Sequence, residues 1–339
     1  MENILLIRLK SIGDVVFTLP AVHMVRENFP NSKITFLTSK ENVPLISGFR
    51  EVNETIALDR ASFKSGNPKR ILQEAFFLMR RLRGGKFSLV VDFQGFGETA
   101  WFARLSGAPH RWGNVYGPGR RWAYTHGVAL EKQIHFVDRN LSLLQQCGLH
   151  PREICNEFVL SESALAEARQ FFLASGLDPA KSTLFIQPFT STPHKNWPME
   201  NFLKLARHWH SRGLQVVFGG GPADLAALES ARAAGFPISA GVPLLVSAGL
   251  MKLSTLVVGG DTGVLHLAVA MGKRVVMIMG SRAPGKAFPF QHPEWAVIPA
   301  GGPGSIGVET AAVIEACAQA CHEQSLKGDQ KLAHKIANQ

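Results

Sequence analysis

Cysteine is scarce in this chain, with four in 339 residues: Cys147, Cys155, Cys317 and Cys321. They show neither the paired spacing of a zinc site nor the density of a disulfide framework. Cys317 and Cys321 stand at i and i+4 in an alanine-rich segment and read as small buried hydrophobes rather than a redox pair. No apolar run reaches the roughly 18 residues of a spanning helix. The opening MENILLIRLKSIGD carries charge inside its apolar portion rather than ahead of it, so neither a transmembrane helix nor a signal peptide is expected. The turn after the first apolar run lacks the G-x-G-x-x-G fingerprint, which leaves a dinucleotide site unsupported there. An Asp-x-Asp diphosphate motif and clustered histidines are also missing, so the expectation is no metal and no cofactor. No zinc-finger or RNA-binding signature occurs, which argues against nucleic acid as a partner.

Acidic residues are in the minority as well, 26 Asp and Glu against 36 Lys and Arg, for a formal charge of +10. The imbalance is concentrated: residues 60–121 hold twelve Lys or Arg and three acids, Glu74, Asp92 and Glu98. Such a surface attracts a phosphorylated substrate or an anionic membrane, or is simply a solvated basic face.

What the chain has in quantity is glycine, 32 residues, placed where apolar runs end. Residues 254–258 (STLVV) and 273–280 (KRVVMIMG) flank GGDTGVLHLA, residues 259–268, in the order buried strand, glycine turn, helix, buried strand. Asp261, Thr262 and Gly263 therefore sit where a strand's carboxyl end becomes a helix N-terminus, whose free N–H groups suit a phosphate. For Asp261 the alternative reading is a plain N-cap. His266 lies one turn on, a phosphate or neighbour contact or else a packed histidine. Near the amino end, Asp14 follows the run 3–9 (NILLIRL) beside Gly13, a carboxylate where ligands approach parallel sheets, or a turn cap.

Four separated pieces resemble a known family. RLKSIGDVVFTLPAV (8–22), PFTSTPHKNWPMENF (188–202), GGGPADLAALE (219–229) and GGDTGVLHLAVAMGKRVVMIMG (259–280) are similar to motifs of the bacterial lipopolysaccharide heptosyltransferases, in the family's order. The resemblance implies an α/β protein with two facing Rossmann-like doubly wound domains of GT-B type, inverting at the anomeric carbon. It implies ADP-heptose or a related nucleotide sugar as donor and a phosphorylated lipid A–Kdo type acceptor. It also implies a cytoplasmic protein, peripheral to an anionic inner membrane. On the family's motif Asp14 is the catalytic base. Lys195, Asp224, Asp261, Thr262, Gly263 and His266 are the donor-side candidates; Asp224 stands where the family commonly has a glutamate for the ribose. Lys64, Arg120, Arg121, His135 and Arg139 are the acceptor-side candidates, the last two with the alternative of belonging to a surface helix with ordinary solvated ends. The family's sugar contacts fall near Ser281 to Gly285, where SRAPGKAFPF is less familiar.

Domains are expected at 1–160, acceptor-binding, and 175–325, nucleotide-sugar-binding, with a frayed polar tail at 326–339. In the first, strands are expected at 33–37, 54–58 and 87–93 and helices at 15–28, 69–83 and 135–148. Asp92 and Gln94 end a central strand and are candidates for acceptor contact. Residues 113–135 lack periodicity and read as a flexible acceptor loop. A short helix is expected at 162–174, in the boundary between the two domains. In the second, strands are expected at 183–189 and 214–220 and helices at 199–211, 222–234 and 311–321. Trp197 is expected to pack rather than to cover a nucleotide.

Overall fold

The computed structural model describes residues 2–279, 287–299 and 307–337. The chain divides into two units, Met1–Val159 and Leu160–Gln339, each with its own sheet.

In the first unit β1 (Asn3–Ile7), β2 (Lys33–Ser39), β3 (Glu54–Leu58), β4 (Leu89–Asp92), β5 (His110–Val115) and β6 (His126–Ala129) form one parallel sheet in the order β3-β2-β1-β4-β5-β6. Helices α1 (Ile12–Val16), α2 (Leu19–Asn28), α3 (Val43–Ile46), α4 (Arg60–Lys64), α5 (Pro68–Gly84), α6 (Gly97–Leu105) and α7 (Phe136–Gln146) make the connections. Helices on both faces explain why Ile4 to Ile7 of β1 are wholly buried and why the strand reads as a continuous apolar run.

The second unit holds α8 (Glu162–Ala174), β7 (Thr183–Gln187), α9 (Met199–His210), β8 (Gln215–Phe218), α10 (Glu229–Ala233), α11 (Leu244–Leu253), β9 (Leu256–Gly260), α12 (Gly263–Ala270), β10 (Val275–Ile278), β11 (Ala296–Val297) and α13 (Thr310–Ala337). Its sheet is parallel in the order β11-β10-β9-β7-β8. In both sheets the strand order reverses once, between β1 and β4 and between β7 and β9. Parallel sheets take ligands outside the carboxyl ends of their strands at such a reversal.

The helix expected over 15–28 is two helices. Pro20 has no N–H to continue the ladder and its ring crowds the preceding turn, so the chain breaks at Phe17–Thr18. Residues 113–135 are not a loop. They carry the end of β5, a 3-10 turn over Pro118–Ala123 and β6, and they end on His135, the N-cap of α7. Two of the glycines that hide the period are required by packing: a Cβ on Gly113 would lie 2.3 Å from the Tyr124 ring and one on Gly127 2.8 Å from Val115. The helix expected over 222–234 is a 3-10 turn, Pro222–Asp224, followed by α10. α11 escaped notice because Val246 to Met251 are all buried, so no polar face marks its period. Where a frayed tail was expected, the backbone of α13 continues helical to Ala337 through residues 326–337, which hold three Lys, two Leu and two Ala.

Candidate active site

In the first unit the turn after β1 is fixed from two sides. Leu9 N–H donates to Gln94 Oε1 at 2.9 Å and Leu9 C=O accepts from Asn42 Nδ2 at 2.8 Å. Arg8, at the strand's carboxyl end, donates from Nη1 to Phe93 O at 2.9 Å, and its Nη2 lies 2.8 Å from Asp14 Oδ1. The other Asp14 oxygen accepts from Ser11 N–H at 3.0 Å. Asp14 thus sits in the first turn of α1, oriented by Arg8 and Ser11, yet with 30% of its side chain open to solvent. It does form a helix-start contact, but one of its oxygens goes to a cation that capping does not need. Nearby, Arg139 donates from Nε to Glu131 O at 3.0 Å and lies over the Phe136 ring. Burial lowers its pKa, with Tyr116 and Asp14 acting in the opposite sense, so Arg139 shares the electrostatic neighbourhood of the Asp14 carboxylate. His135 is the N-cap of α7: its Nδ1 accepts from Val137 N–H at 3.1 Å, and its ring meets Phe17 edge-on.

The second unit gathers its candidates around the start of α12. Asp261 follows β9 directly, and its Oδ2 accepts from Lys195 Nζ at 2.9 Å while Oδ1 lies 3.2 Å from His266 Nε2. Burial alone would raise the Asp261 pKa; hydrogen bonds from His266 and Lys195 outweigh it and hold the carboxyl below its ordinary value. The N-cap is Thr262, not Asp261, and the Thr262 hydroxyl makes no capping bond. Thr262 C=O accepts from Leu265 and His266 N–H, leaving the N–H groups of Gly263 and Val264 with no acceptor among the described residues. Lys195 ends a 3-10 turn, Pro193–Lys195, in a segment held by the bond from Thr190 N–H to Asn196 Oδ1. Trp197 is buried, donates to Val308 O at 2.7 Å and packs edge-on against Phe202, as expected of a packing residue.

The donor candidates therefore flank the β7–β9 reversal, and Asp14 and Arg8 lie at the β1–β4 reversal. The profile of glycosyltransferase family 9 (heptosyltransferase) matches residues 75–299, about two-thirds of the chain. The chain belongs to glycosyltransferase family 9. Lipopolysaccharide heptosyltransferase 3 of Escherichia coli K12 is 28% identical over 79% of this chain and 80% of its own length. Lipopolysaccharide heptosyltransferase 1 of Pseudomonas aeruginosa is 26% identical over 84% of this chain and 80% of its own. Among solved structures, the family 9 glycosyl transferase of Veillonella parvula superposes with a TM-score of 0.86 at 21% identity, covering 95% of this chain and 97% of that one. E. coli heptosyltransferase WaaC with ADP gives 0.73 at 21%, covering 94% and 99%. These likenesses identify the fold of this glycosyltransferase as GT-B, two parallel α/β domains.

Other candidates of the glycosyltransferase are placed less centrally. Asp224 uses Oδ2 to accept from Gly221 N–H at 2.8 Å, closing the glycine turn after β8. Arg120 donates to Gly95 O at 3.1 Å and lies over the Tyr116 ring, Arg121 is exposed on the same 3-10 turn, and Lys64 is exposed at the end of α4. Asp92 and Gln94 do not face an acceptor. Both are buried; Asp92 accepts from Gln94 N–H, Gly95 N–H and Tyr124 Oη, and Gln94 holds Leu9. They build the reversal instead of touching what binds there. Arg8 was not singled out by sequence, although a cation ending an otherwise apolar strand was its signal. Ser281 to Gly285, the expected sugar contacts, lie outside the described residues. Among the described residues no group of three His, Cys, Asp or Glu side chains is placed to hold a metal ion.

Proposed function

We propose that this glycosyltransferase moves heptose from ADP-heptose to a phosphorylated lipid A–Kdo type acceptor in lipopolysaccharide inner-core assembly, with inversion. Asp14 removes the proton of the acceptor hydroxyl as that oxygen attacks the anomeric carbon. The bond from that carbon to the diphosphate oxygen breaks, and ADP departs with the electron pair. The observation that carries the reading is the Lys195–Asp261–His266 arrangement at the start of α12. An ionised Asp261 repels a diphosphate, so it serves by positioning Lys195 and His266. Lys195, the N–H groups of Gly263 and Val264 and the Thr262 hydroxyl then meet the phosphates and stabilise the charge that grows on the leaving group. The names of the lipopolysaccharide heptosyltransferase relatives support heptose, and the relative solved with ADP supports adenine.

The test is a mass-spectrometric screen of nucleotide sugars with the purified protein and a lipid A–Kdo acceptor. ADP-heptose should be consumed, with release of ADP and a heptosylated acceptor of inverted anomeric configuration. Turnover of a nucleotide-linked hexose or amino sugar in preference to ADP-heptose would replace the donor assignment, and no turnover of any donor would leave a sugar-nucleotide-binding protein.

A further inference from the structure

α5 presents two apolar stripes where a surface helix of a soluble domain has one. The first, Leu78 and Leu82, is buried in the core of its unit. The second, Leu72, Phe76 and Met79 at i, i+4 and i+7, points to solvent: Leu72 is 71% and Phe76 68% exposed. Phe63 of the adjoining α4 is exposed beside it in sequence and α4 packs on α5. The stripe is bordered by charge of one sign. Lys64, Lys69, Arg70, Arg80 and Arg83 are all exposed, whereas Glu74 is turned inward, its Oε1 accepting from Asp59 N–H at 3.0 Å. From Arg60 to Lys86 no other acid occurs.

We propose that the α4–α5 face docks on an anionic lipid surface, with Leu72, Phe76 and Met79 entering the boundary between headgroups and acyl chains and the bordering Lys and Arg meeting lipid phosphates. An exposed apolar stripe costs solubility and is retained where something covers it. The one-sign border selects the occupant. A second copy of the chain would bring like charge against like charge across a stripe one helix wide, too small for a stable dimer. A lipid surface supplies apolar depth and negative charge together, the combination interfacial helices use. The helix lies on the surface, for no helix among the described residues is long and apolar enough to cross a membrane. What is new here is the face that makes the contact: the family resemblance implies a protein peripheral to an anionic membrane but names no surface, and the assignment does not depend on which sugar is transferred.

The experiment is vesicle flotation of the full chain, without donor or acceptor, on phosphatidylcholine vesicles with and without phosphatidylglycerol. Wild type should float with the phosphatidylglycerol vesicles and remain behind with phosphatidylcholine alone. The triple variant L72Q/F76Q/M79Q should lose flotation by roughly tenfold or more. The pair K69Q/R70Q should weaken it by roughly fivefold per charge removed. ADP binding and thermal unfolding should be unchanged in both, since none of these side chains belongs to the core or to the donor side. Wild type that ignores anionic vesicles overturns the proposal, as does a triple variant that floats undiminished. A concentration-dependent dimer that the triple variant abolishes also overturns it and assigns the face to a second copy.

Discussion

At the scale of the residue, two carboxylates are held in opposite ways, and the proposed mechanism gives them different duties. Asp14 is fixed by Arg8 and Ser11 but retains exposure, the condition of a group that must receive a proton from a ligand. Asp14→Asn keeps the size and the helix-start contact and removes the carboxylate proposed as the base. It should fold normally and bind ADP normally, with transfer slower by about 100-fold or more; near-normal turnover at saturating donor and acceptor would show the base lies elsewhere. Asp261 spends both oxygens on Lys195 and His266. Lys195→Ala should weaken ADP by about 1.5 kcal/mol, the low end for a charge-assisted contact because the side chain is half-exposed, and leave adenosine unaffected. Calorimetry with both ligands decides, since equal losses would place Lys195 away from the diphosphate. Asp261 has a pH signature too. Its pKa is depressed in the folded chain, so its stabilisation is complete above the ordinary Asp value of 3.8 and fades as pH falls through the folded value. Asp261→Asn should therefore be less stable than wild type at pH 7, with the gap closing below about pH 4 in urea unfolding.

At the scale of the element, the site depends on how closely β7 and β9 approach. A Cβ on Gly259 would stand 2.4 Å from the carbonyl oxygen of Gln187, its partner in the central strand pair, and 3.0 Å from Leu265 of α12. Backbone cannot yield there as a flexible side chain could, so Gly259→Ala should cost about 3 kcal/mol or more in urea unfolding and weaken ADP by displacing α12. A variant as stable as wild type would mean that β7 and β9 part without cost. This unit is also where sequence served best. The run STLVV, the glycine turn and the run KRVVMIMG differ enough in composition that β9, α12 and β10 are legible unaided. Legibility failed where packing replaces periodicity. Gly113 and Gly127 interrupt β5 and β6 because Tyr124 and Val115 occupy the space of their side chains, and α11 lost its polar face to burial. The role of Asp92 was hidden for a related reason. A strand-end carboxylate reads the same whether it faces a ligand or turns inward, and only Tyr124, 32 residues away, reveals that it turns inward. Thr262 as N-cap, with Asp261 bonded sideways to Lys195, rests likewise on a contact spanning 66 residues.

At the scale of the whole molecule, charge and the proposed chemistry divide along the same line. Residues 1–159 hold 21 Lys and Arg against 14 Asp and Glu, and residues 160–339 hold 15 against 12, so most of the +10 lies with Asp14 and the α5 face. Every donor candidate follows β7, β8 or β9 and belongs to the second unit. That unit has its own core, in which Trp197, Phe202 and Leu205 meet Val308, Val313 and Cys317, and its own five-stranded sheet. Its length falls within the range at which domains fold alone. Residues 160–339 expressed alone should then unfold cooperatively and bind ADP within about tenfold of the full chain, one decade being roughly 1.4 kcal/mol. Transfer should be absent, because Asp14, the proposed base, is on the other unit. ADP binding by the fragment should also depend little on salt, since one half-exposed lysine and backbone N–H groups supply the contact. Acceptor binding by the full chain should fall steeply with salt, and less steeply once Arg120 and Arg121 are changed to Gln. A fragment that folds but does not bind ADP would move part of the donor site into the first unit, and the division of labour argued from the two strand-order reversals would have to be abandoned.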